Sequence, residues 1–428
     1  MPALNEELML PYSTHQNAGF PELTLSPRDE QFFLNPYETY REWHDAGWEV
    51  FWWHDYQMWC VCSFDLVARI FRDRRFGRQI SHKAARHELG LPERPQHLAN
   101  FDRVELNSLL ELEPPKHTRI RRQVNRAFFA RAVDRLRPQI ATDAQILIDS
   151  FEARGHAEVL EEFIAPLAVG TTCRLLGVDQ SSADRLRGWS HAMVKMYVAN
   201  PALADQLAAD EAARQFSDWV RAEISNMRRA SENDSLLFEL LSGSDTSNAL
   251  TDDEIVSTVV LLLNAGHEAT VHQFGNGMAT AWAQRGPEWP SLFETPAKTA
   301  ATVDEFLRFN PPLHMFTRYA LQDISLQTKA GELELKFGDQ VGLLLGAANR
   351  DPNKFDAPNS FNPDRSDQAT AAFGAGIHFC VGTALAKIEL QEAFSAMASR
   401  LPHARFENGP RCANSFHFHG LESALLRW

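Results

Sequence analysis

The chain has 428 residues, 44% of them hydrophobic, and its 56 acidic and 42 basic side chains give a formal net charge of −14 at pH 7. This acidic balance argues against a general nucleic-acid binder, and no apolar run approaches the ~20 residues needed to cross a bilayer. The first 19 residues lack a basic n-region, so we expect no signal peptide. Five scattered cysteines are typical of a reduced compartment rather than a disulfide framework. We therefore expect a cytoplasmic monomer with no membrane partner.

The hydrophobic periodicity predicts a mainly α-helical protein with a minor β region. No linker, repeat or long charge block marks a boundary, so we expect a single domain over residues 1–428, with residues 1 to about 34 as an extended lead-in. A short helix is predicted for residues 36–46. Residues 49–53 and 58–62 predict the two strands of a hairpin.

The segments after the hairpin alternate between helix and loop. Ser63 is expected to cap a helix that ends near Arg72. The periodicity then weakens from Phe76 to Leu110, which indicates a long loop. Residues 130 to 250 predict several amphipathic helices without a recognisable chemical motif.

A basic helix is predicted to begin at Pro114 and Pro115, because prolines are tolerated in a first turn. His117 and Arg121 are four residues apart and therefore share one face of this helix. Two such groups can hold a carboxylate through charge-assisted hydrogen bonds. The alternative interpretation is a solvated basic face.

The longest predicted helix begins at Thr251, where Thr251 to Glu254 form a capping-box sequence. No proline follows until Pro287, so the helix could span ~50 Å. The consecutive apolar residues 259–263 indicate that it is buried. Small residues follow at its centre, beside an acid and a hydroxyl that are costly in apolar surroundings unless they are used or satisfied. A functional site and a satisfied core kink both fit this pattern.

Glu305 and Arg308 lie on a helix that is expected to stop at Asn310, ahead of two prolines. An i,i+3 ion pair of this kind is common on helix surfaces and carries little information alone. A strand is predicted directly afterwards. Its alternation sends His314, Phe316 and Arg318 to one side.

The most informative stretch is the glycine-rich loop 373–382, which places Cys380 directly before a predicted helix from Gly382 to about Ser399. Backbone N–H groups and the dipole at a helix N-terminus favour a thiolate. Gly374, Gly376 and Gly382 permit positive φ and a close approach to a large flat ligand. A thiolate-ligated haem iron requires such a loop. A lone cysteine is also commonly a small buried hydrophobe.

Phe373, Gly376, Cys380 and Gly382 match the haem-loop pattern F-x-x-G-x-x-x-C-x-G of cytochromes P450. From about residue 35 to 428 the chain resembles a soluble bacterial member of that family. The resemblance implies the cytochrome P450 fold, with haem b between the long central helix and the cysteine loop. It also implies that Cys380 is the axial iron ligand.

Further site residues follow from this resemblance. It implies that the haem propionates are held by His117, Arg121, Arg318 and His378. It also implies that the macrocycle packs against Phe373, Gly374, Gly382 and Ala265. A structural network beneath the haem loop would comprise Glu305, Arg308 and Arg365.

The family motif A/G-G-x-D/E-T routes protons to the oxygen-binding side of the haem through an acid and an alcohol. Glu268 matches the acid, but the alcohol position holds Ala269, and Thr270 lies one residue later, about 100° further round the helix. Thr270 with water could substitute for the missing alcohol, or the substrate could supply a hydroxyl. A third alternative is poor coupling without the true substrate.

The resemblance implies a monooxygenase that inserts one oxygen atom from O2 into a small hydrophobic substrate, with electrons from a separate ferredoxin and its reductase. An acidic electron carrier could bind a basic patch of Arg119, Arg122 and Arg126. Substrate would contact Leu261, Asn264, Ala265, Ala269, His314, Phe316, Phe416 and Phe418. The alternatives are a peroxide-using or non-oxygenating haem-thiolate enzyme and a non-catalytic haem sensor.

Overall fold

The computed structural model describes residues 19–89, 93–129, 132–197, 201–229, 235–242 and 249–428. The α-helices of these residues, in chain order, are α1 (Glu30–Leu34), α2 (Pro36–Asp45), α3 (Phe64–Arg72), α4 (Ala99–Glu105), α5 (Lys116–Phe129), α6 (Ala132–Phe151), α7 (Ala165–Leu176), α8 (Ala183–Val194), α9 (Leu203–Met227), α10 (Leu236–Leu241), α11 (Asp252–Arg285), α12 (Pro296–Phe309), α13 (Leu345–Ala348) and α14 (Thr383–Arg400). The mainly helical class expected from the sequence is confirmed.

The strands of the described residues are shorter and fewer than the helices. In chain order they are β1 (Glu22–Leu23), β2 (Val50–Trp53), β3 (Met58–Val61), β4 (Phe76–Gly77), β5 (His156–Glu158), β6 (Met315–Ala320), β7 (Ile324–Thr328), β8 (Gly331–Leu335), β9 (Gln340–Leu344), β10 (Arg405–Phe406), β11 (Arg411–Cys412), β12 (Leu421–Ser423) and β13 (Leu425–Arg427). They form one six-stranded sheet and three smaller sheets.

Contacts divide the chain into two compact units, each assembled from separate stretches of sequence. The first unit contains residues 78–136 and 168–268, and its described residues form helices and no strand. The second contains residues 19–77, 137–167 and 269–428 and holds every strand of the described residues. Organisation as a single domain stays a prediction.

The six-stranded sheet has the order β1-β2-β3-β9-β6-β4. Strands β2 and β3 form the predicted antiparallel hairpin, with Val50 opposite Val61 and Trp53 opposite Met58. Every residue of both strands is buried, which explains their continuous rather than alternating apolar sequence. Strand β6 lies antiparallel to β9, and this pairing positions Arg318 opposite Val341.

Between residues 19 and 34 the expected lead-in contains a short strand and a helix, while residues 1–18 lie outside the described residues. Strand β1 pairs in parallel with β2, and α1 follows with its first turn capped by the Asp29 carboxylate, which accepts from the Phe32 N–H at 3.0 Å. Phe32 and Phe33 are 3% and 6% exposed. The Phe32 ring lies 4.9 Å from that of Phe416. This segment is packed because its aromatic side chains complete the core of the second unit.

Helix α3 begins where the sequence predicts, but the expected cap is wrong. The Ser63 hydroxyl donates to the Glu49 carboxylate at 3.2 Å instead of accepting from its own helix. The Phe64 N–H is accepted by the Asp351 carboxylate at 2.9 Å. A distant side chain thus satisfies the helix end. The expected first turn of α5 is also shifted, since α5 begins at Lys116 with the two prolines ahead of it.

Helix α11 has 34 residues and confirms the predicted long helix. Its capping box is complete: the Thr251 N–H donates to Glu254 at 3.0 Å, and the Glu254 N–H donates to the Thr251 hydroxyl at 3.3 Å. Gly286, at φ 53°, and Pro287 follow its last residue. Val259 and Val260 are each 1% exposed, as expected for a buried helix. In the described part of the chain, no helix combines the length and apolarity that a membrane crossing demands.

Candidate functional site

The cysteine loop of the second unit is a series of tight turns that ends in α14. The Gly374 N–H donates to the Ala371 carbonyl at 2.9 Å, and the Cys380 N–H donates to the Phe373 carbonyl at 3.1 Å. The Thr383 hydroxyl then donates to the Cys380 carbonyl at 2.9 Å. Since α14 begins at Thr383, Cys380 stands just before a helix N-terminus, as predicted.

Two of the three loop glycines have the positive φ that the sequence predicts, and both face helix α3. Gly374 has φ 66° and Gly376 has φ 72°. A Cβ on Gly376 would lie 2.1 Å from the Phe71 carbonyl oxygen, so only glycine fits there. Gly382, at φ −84°, does not need positive φ, and that expectation is wrong. A Cβ at Gly382 would lie 3.9 Å from the Cys380 Sγ.

All five cysteines are described, and Cys380 is the exposed one. Burial raises the pKa of the Cys60 and Cys62 thiols, and it raises the pKa of Cys173 to about 11. Partial burial also raises the pKa of Cys412. Desolvation therefore keeps the other four cysteines as thiols. Cys380 is left as the cysteine whose position suits a thiolate.

Phe71 is a site residue that sequence reasoning missed. It is the second-last residue of α3, and its ring lies 3.7 Å from the position of a Cβ on Gly374. The same ring lies under the Arg318 guanidinium, with 4.9 Å between Cζ and the ring centroid. The ring of Phe316, two residues before Arg318 on β6, contacts the Phe71 ring edge-on, with 6.3 Å between the ring centroids. Phe71 thus joins the cysteine loop to strand β6, and no local sequence signal distinguishes it from other apolar helix ends.

The predicted propionate contacts are distributed over both units. Arg318 is 5% exposed and donates to the Thr317 carbonyl at 2.8 Å. His378, at the end of the turn Gly376–His378, is half-buried. In the first unit His117 is 1% exposed near the start of α5. One turn later, the half-buried Arg121 donates to Asn125 at 2.8 Å.

The accessible side of α11 follows helical spacing. Ala265 is exposed, and Leu261, Glu268 and Ala269 are partly exposed, four or three residues away from it. We call these four residues the accessible stripe. Thr270 is 4% exposed and lies off the stripe. Its role as a substitute alcohol stays a prediction, and one residue further along a helix turns its side chain by about 100° from that of Ala269.

Glu268 of the stripe is flanked by two histidines within the first unit. Its Oε1 lies 3.8 Å from the Nδ1 of His191 on α8 and 3.9 Å from the Nε2 of His267. His191 was missed by sequence reasoning, because nothing in the chain connects a histidine on one helix with an acid 77 residues later (268 − 191).

Three residues predicted for a substrate wall are buried in the structure. His314 is 0% exposed, and its Nδ1 lies 2.7 Å from the Tyr40 hydroxyl. Phe416 is 4% exposed within the aromatic core of the second unit. Asn264 is 5% exposed and packs against Met193. Phe316 and Phe418 keep accessible surface, as do the stripe residues.

Its surroundings in this core keep the imidazole of His314 neutral. Burial lowers the pKa of His314, and the neighbouring His419 lowers it further. Tyr37 adds a second contact, with its hydroxyl 3.4 Å from the His314 Nε2. Sequence alternation placed His314 beside Phe316, but His314 precedes β6 and does not share that strand's geometry.

The predicted network of Glu305, Arg308 and Arg365 is assembled in the second unit. Arg308 makes a bidentate pair with the Glu305 carboxylate at 2.7 and 2.8 Å, and Arg365 approaches it at 3.4 Å. The Asn362 N–H donates to the same carboxylate at 2.8 Å. All three charged residues are at most 9% exposed. Arg308 also donates to the Asn349 carbonyl at 2.9 Å, which ties α12 to the segment ahead of the cysteine loop.

The expected basic patch on α5 loses one member. Arg119 pairs with Glu254 and donates to the Ala249 carbonyl at 3.1 Å, so it fixes the start of α11. Arg122 and Arg126 are exposed and four residues apart.

A mainly helical fold with an exposed cysteine ahead of a helix suits thiolate ligation of haem iron, and comparisons with known proteins identify the class. Residues 283–407 match the family described as cytochrome P450. The chain is 30% identical over 356 residues to "Polyketide biosynthesis cytochrome P450 PksS" of Bacillus subtilis, which covers 83% of this chain and 84% of that protein. It is 32% identical to "Cytochrome P450 107B1" of Saccharopolyspora erythraea, over 74% of this chain and 76% of that one.

Solved structures agree with this relationship. "Crystal Structure of CalO2" has a TM-score of 0.84 and 29% identity, and covers 95% of this chain and 98% of its own. This chain belongs to the cytochrome P450 family. It is a monooxygenase whose cofactor is haem b with a cysteine thiolate ligand. The residues present fit that cofactor, because the exposed thiol is a soft donor and the buried Arg318 offers a cation.

Proposed function

We propose that this enzyme inserts one oxygen atom from O2 into a small hydrophobic substrate, using two electrons from a separate ferredoxin and its reductase. The haem, when bound, supplies the oxygen chemistry, and the protein holds and orients the participants. The observation that carries the proposal is Cys380, the exposed cysteine at the N-terminus of α14, while burial keeps the other four cysteines protonated.

In this proposal each side chain has a simple task. Cys380 is the iron ligand, and the positive end of α14 favours its thiolate form. His117, Arg121, Arg318 and His378 neutralise the propionates, since a buried cation such as Arg318 is stabilised beside an anion. Contacts with the macrocycle come from Phe373, Gly374, Gly382 and Ala265.

Glu268 is the proton-transferring acid, because it is the ionisable member of the accessible stripe. With Ala269 in the alcohol position, water or a substrate hydroxyl completes the transfer.

The substrate contacts proposed here are apolar. The proposed contacts are Leu261, Ala265 and Ala269 of the accessible stripe and the aromatic residues Phe316 and Phe418, which keep accessible surface. These surfaces favour a hydrophobic compound. A related structure, of P450BioI, is a complex with a hexadecenoic acid linked to an acyl carrier protein. A screen of fatty-acid, polyketide and steroid libraries for displacement of iron-bound water would identify the class.

The decisive experiment compares two cysteine variants. Cys380→Ser should lose the absorption band of the CO-bound thiolate haem, whereas Cys412→Ser should keep it. Cys412 is a suitable control because it is a half-buried cysteine on a short edge strand, β11. Retention of the thiolate band by Cys380→Ser would refute the assignment.

The electron donor is tested separately on α5. Replacing the exposed Arg122 and Arg126 by glutamate should slow ferredoxin-supported turnover and reduce its salt dependence. The charge-conserving Arg122→Lys and Arg126→Lys double variant is the control. Unchanged turnover in the charge-reversed protein would exclude this surface as the docking site.

A second candidate function is favoured by Ala269. A peroxide-using enzyme does not need the acid–alcohol transfer, and the accessible stripe presents an alanine at the alcohol position. Product formation with hydrogen peroxide alone, at a rate above that with O2, ferredoxin and reductase, would favour this reaction.

A further inference from the structure

Glu268 lies near one exposed imidazole and one buried imidazole. Its Oε1 lies 3.8 Å from the His191 Nδ1 and 3.9 Å from the His267 Nε2. The His191 side chain is 67% exposed, that of Glu268 is 19% exposed and that of His267 is 7% exposed. One carboxylate oxygen is therefore within 4 Å of both a histidine that contacts solvent and a buried histidine.

Such an arrangement suits proton uptake. Imidazole is the side chain that exchanges protons most readily near neutral pH, and an exposed one is recharged directly from water. A carboxylate with one-fifth of its surface exposed has poorer access to bulk water. The 3.8 Å gap is too long for a direct hydrogen bond, but one bridging water or a small rotation of the His191 ring would close it.

We propose that His191 is a positioning residue that holds Glu268 and supplies it with protons from solvent. The inference rests on the proposed role of Glu268 and deepens it. A proton leaves the His191 Nδ1, passes through the bridging water and arrives at the Glu268 Oε1. The His191 ring then regains a proton from bulk water, and no electron is transferred. Ala269 makes this supply important, since the residue beside Glu268 offers no hydroxyl.

Other charged groups lie on the two helices that carry this pair. On the α8 side, Lys195 follows His191 by four residues and pairs with Asp205 at 3.6 Å. On α11, His267 precedes Glu268 and His272 follows it by four residues. Because several histidines lie on these two helices, the measurement has to resolve His191 individually.

The first test is an NMR titration of the reduced, CO-bound holoenzyme labelled with ¹³C-histidine. Loss of one signal in His191→Gln assigns the residue. A neighbouring carboxylate favours the imidazolium, so Glu268→Gln should lower the pKa of His191. His403→Gln, which removes an exposed histidine outside α8 and α11, should leave the His191 titration unchanged. A His191 pKa that is the same with and without the Glu268 carboxylate would overturn the proposal.

The second test follows oxygen uptake supported by a [2Fe–2S] ferredoxin and its reductase without added organic substrate. Uptake by the unmodified enzyme should fall as pH rises through the pKa of His191. His191→Gln should lack this fall and be about tenfold slower at neutral pH. The double variant with Glu268→Gln should be no slower than Glu268→Gln alone. Losses that multiply, or a pH dependence that survives in His191→Gln, would refute the inference.

These results separate this inference from the proposed function. All variants should retain the thiolate band of the CO complex, because neither side chain belongs to the cysteine loop. If the band persists while the His191 tests fail, only the proton supply is refuted. If the band is absent from the unmodified enzyme, the proposed function itself is refuted.

Discussion

The guanidinium of Arg318 lies 4.9 Å above the ring of Phe71, and the backbone of the same phenylalanine sets the course of the cysteine loop. A Cβ on Gly376 would stand 2.1 Å from the Phe71 carbonyl oxygen. Helix α3 therefore fixes both the strand that carries the buried arginine and the loop that carries Cys380.

This packing predicts a large effect of Gly376→Ala. The side chain would have to adopt φ near 72° and would also collide with the α3 backbone. We expect a loss of about 3 kcal/mol or more in unfolding free energy, together with weaker haem retention. Denaturant unfolding and haem titration would measure the two effects.

Gly409→Ala is the matched control. Gly409 has φ 76°, but no atom lies within 4 Å of its built Cβ. Gly409→Ala should therefore lower the unfolding free energy only by the cost of the left-handed backbone conformation, about 1 kcal/mol. Equal losses for the two variants would show that the approach to Phe71 is unimportant.

The buried triad predicts a strong dependence on Arg308. Its side chain is 1% exposed and pairs with a Glu305 carboxylate that is 4% exposed. Arg308→Met would remove the bidentate partner and leave only the longer Arg365 contact at 3.4 Å and the Asn362 N–H, and we expect a cost of about 3 to 5 kcal/mol in chemical unfolding. The corresponding change at the exposed Arg411–Glu422 pair, Arg411→Met, should cost less than about 1 kcal/mol. A similar small cost at Arg308 would contradict a stabilising role.

The buried His419 predicts that the folded protein loses stability as the pH falls. It is 6% exposed, and burial lowers its pKa from the usual value near 6.5 to about 4. The unfolded chain therefore binds a proton that the folded chain refuses in this interval. The contribution of neutral His419 to the unfolding free energy is complete above about pH 6.5. It declines as the pH falls toward 4, by up to ~3 kcal/mol.

Removing the histidine should flatten that decline. His419→Gln is expected to show a smaller change in unfolding free energy between about pH 7 and pH 5 than the unmodified protein. His403→Gln removes an exposed histidine instead and should retain the full decline. Identical pH profiles for His419→Gln and the unmodified chain would refute the assignment.

The geometry of α11 predicts opposite outcomes for two neighbouring positions. Thr270 lies off the accessible stripe, so Thr270→Val should change the peroxide released per O2 consumed by less than about twofold. Ala269→Thr adds a hydroxyl on the stripe and should lower peroxide release. Peroxide electrode and oxygen-uptake measurements in parallel would test both. A large effect of Thr270→Val would restore its hydroxyl to the proton path.

Local chemistry determined much of this protein from the sequence alone. The Thr251–Glu254 box starts α11, the Asn310 and proline signal ends α12, and Cys380 precedes α14, because each depends on residues within a few positions. The resemblance of the loop motif also identified the family correctly.

Packing between distant segments decided the remainder. His314 and Phe416 are core residues because aromatic side chains far away in the chain surround them, and strand alternation carries no information about that. Phe71 acquires its importance from a loop some 300 residues later, and His191 from an acid on another helix. Helical periodicity fixed the angle between Ala269 and Thr270, but only the tertiary structure decided which of them is accessible, since the buried side of a helix depends on what packs against it.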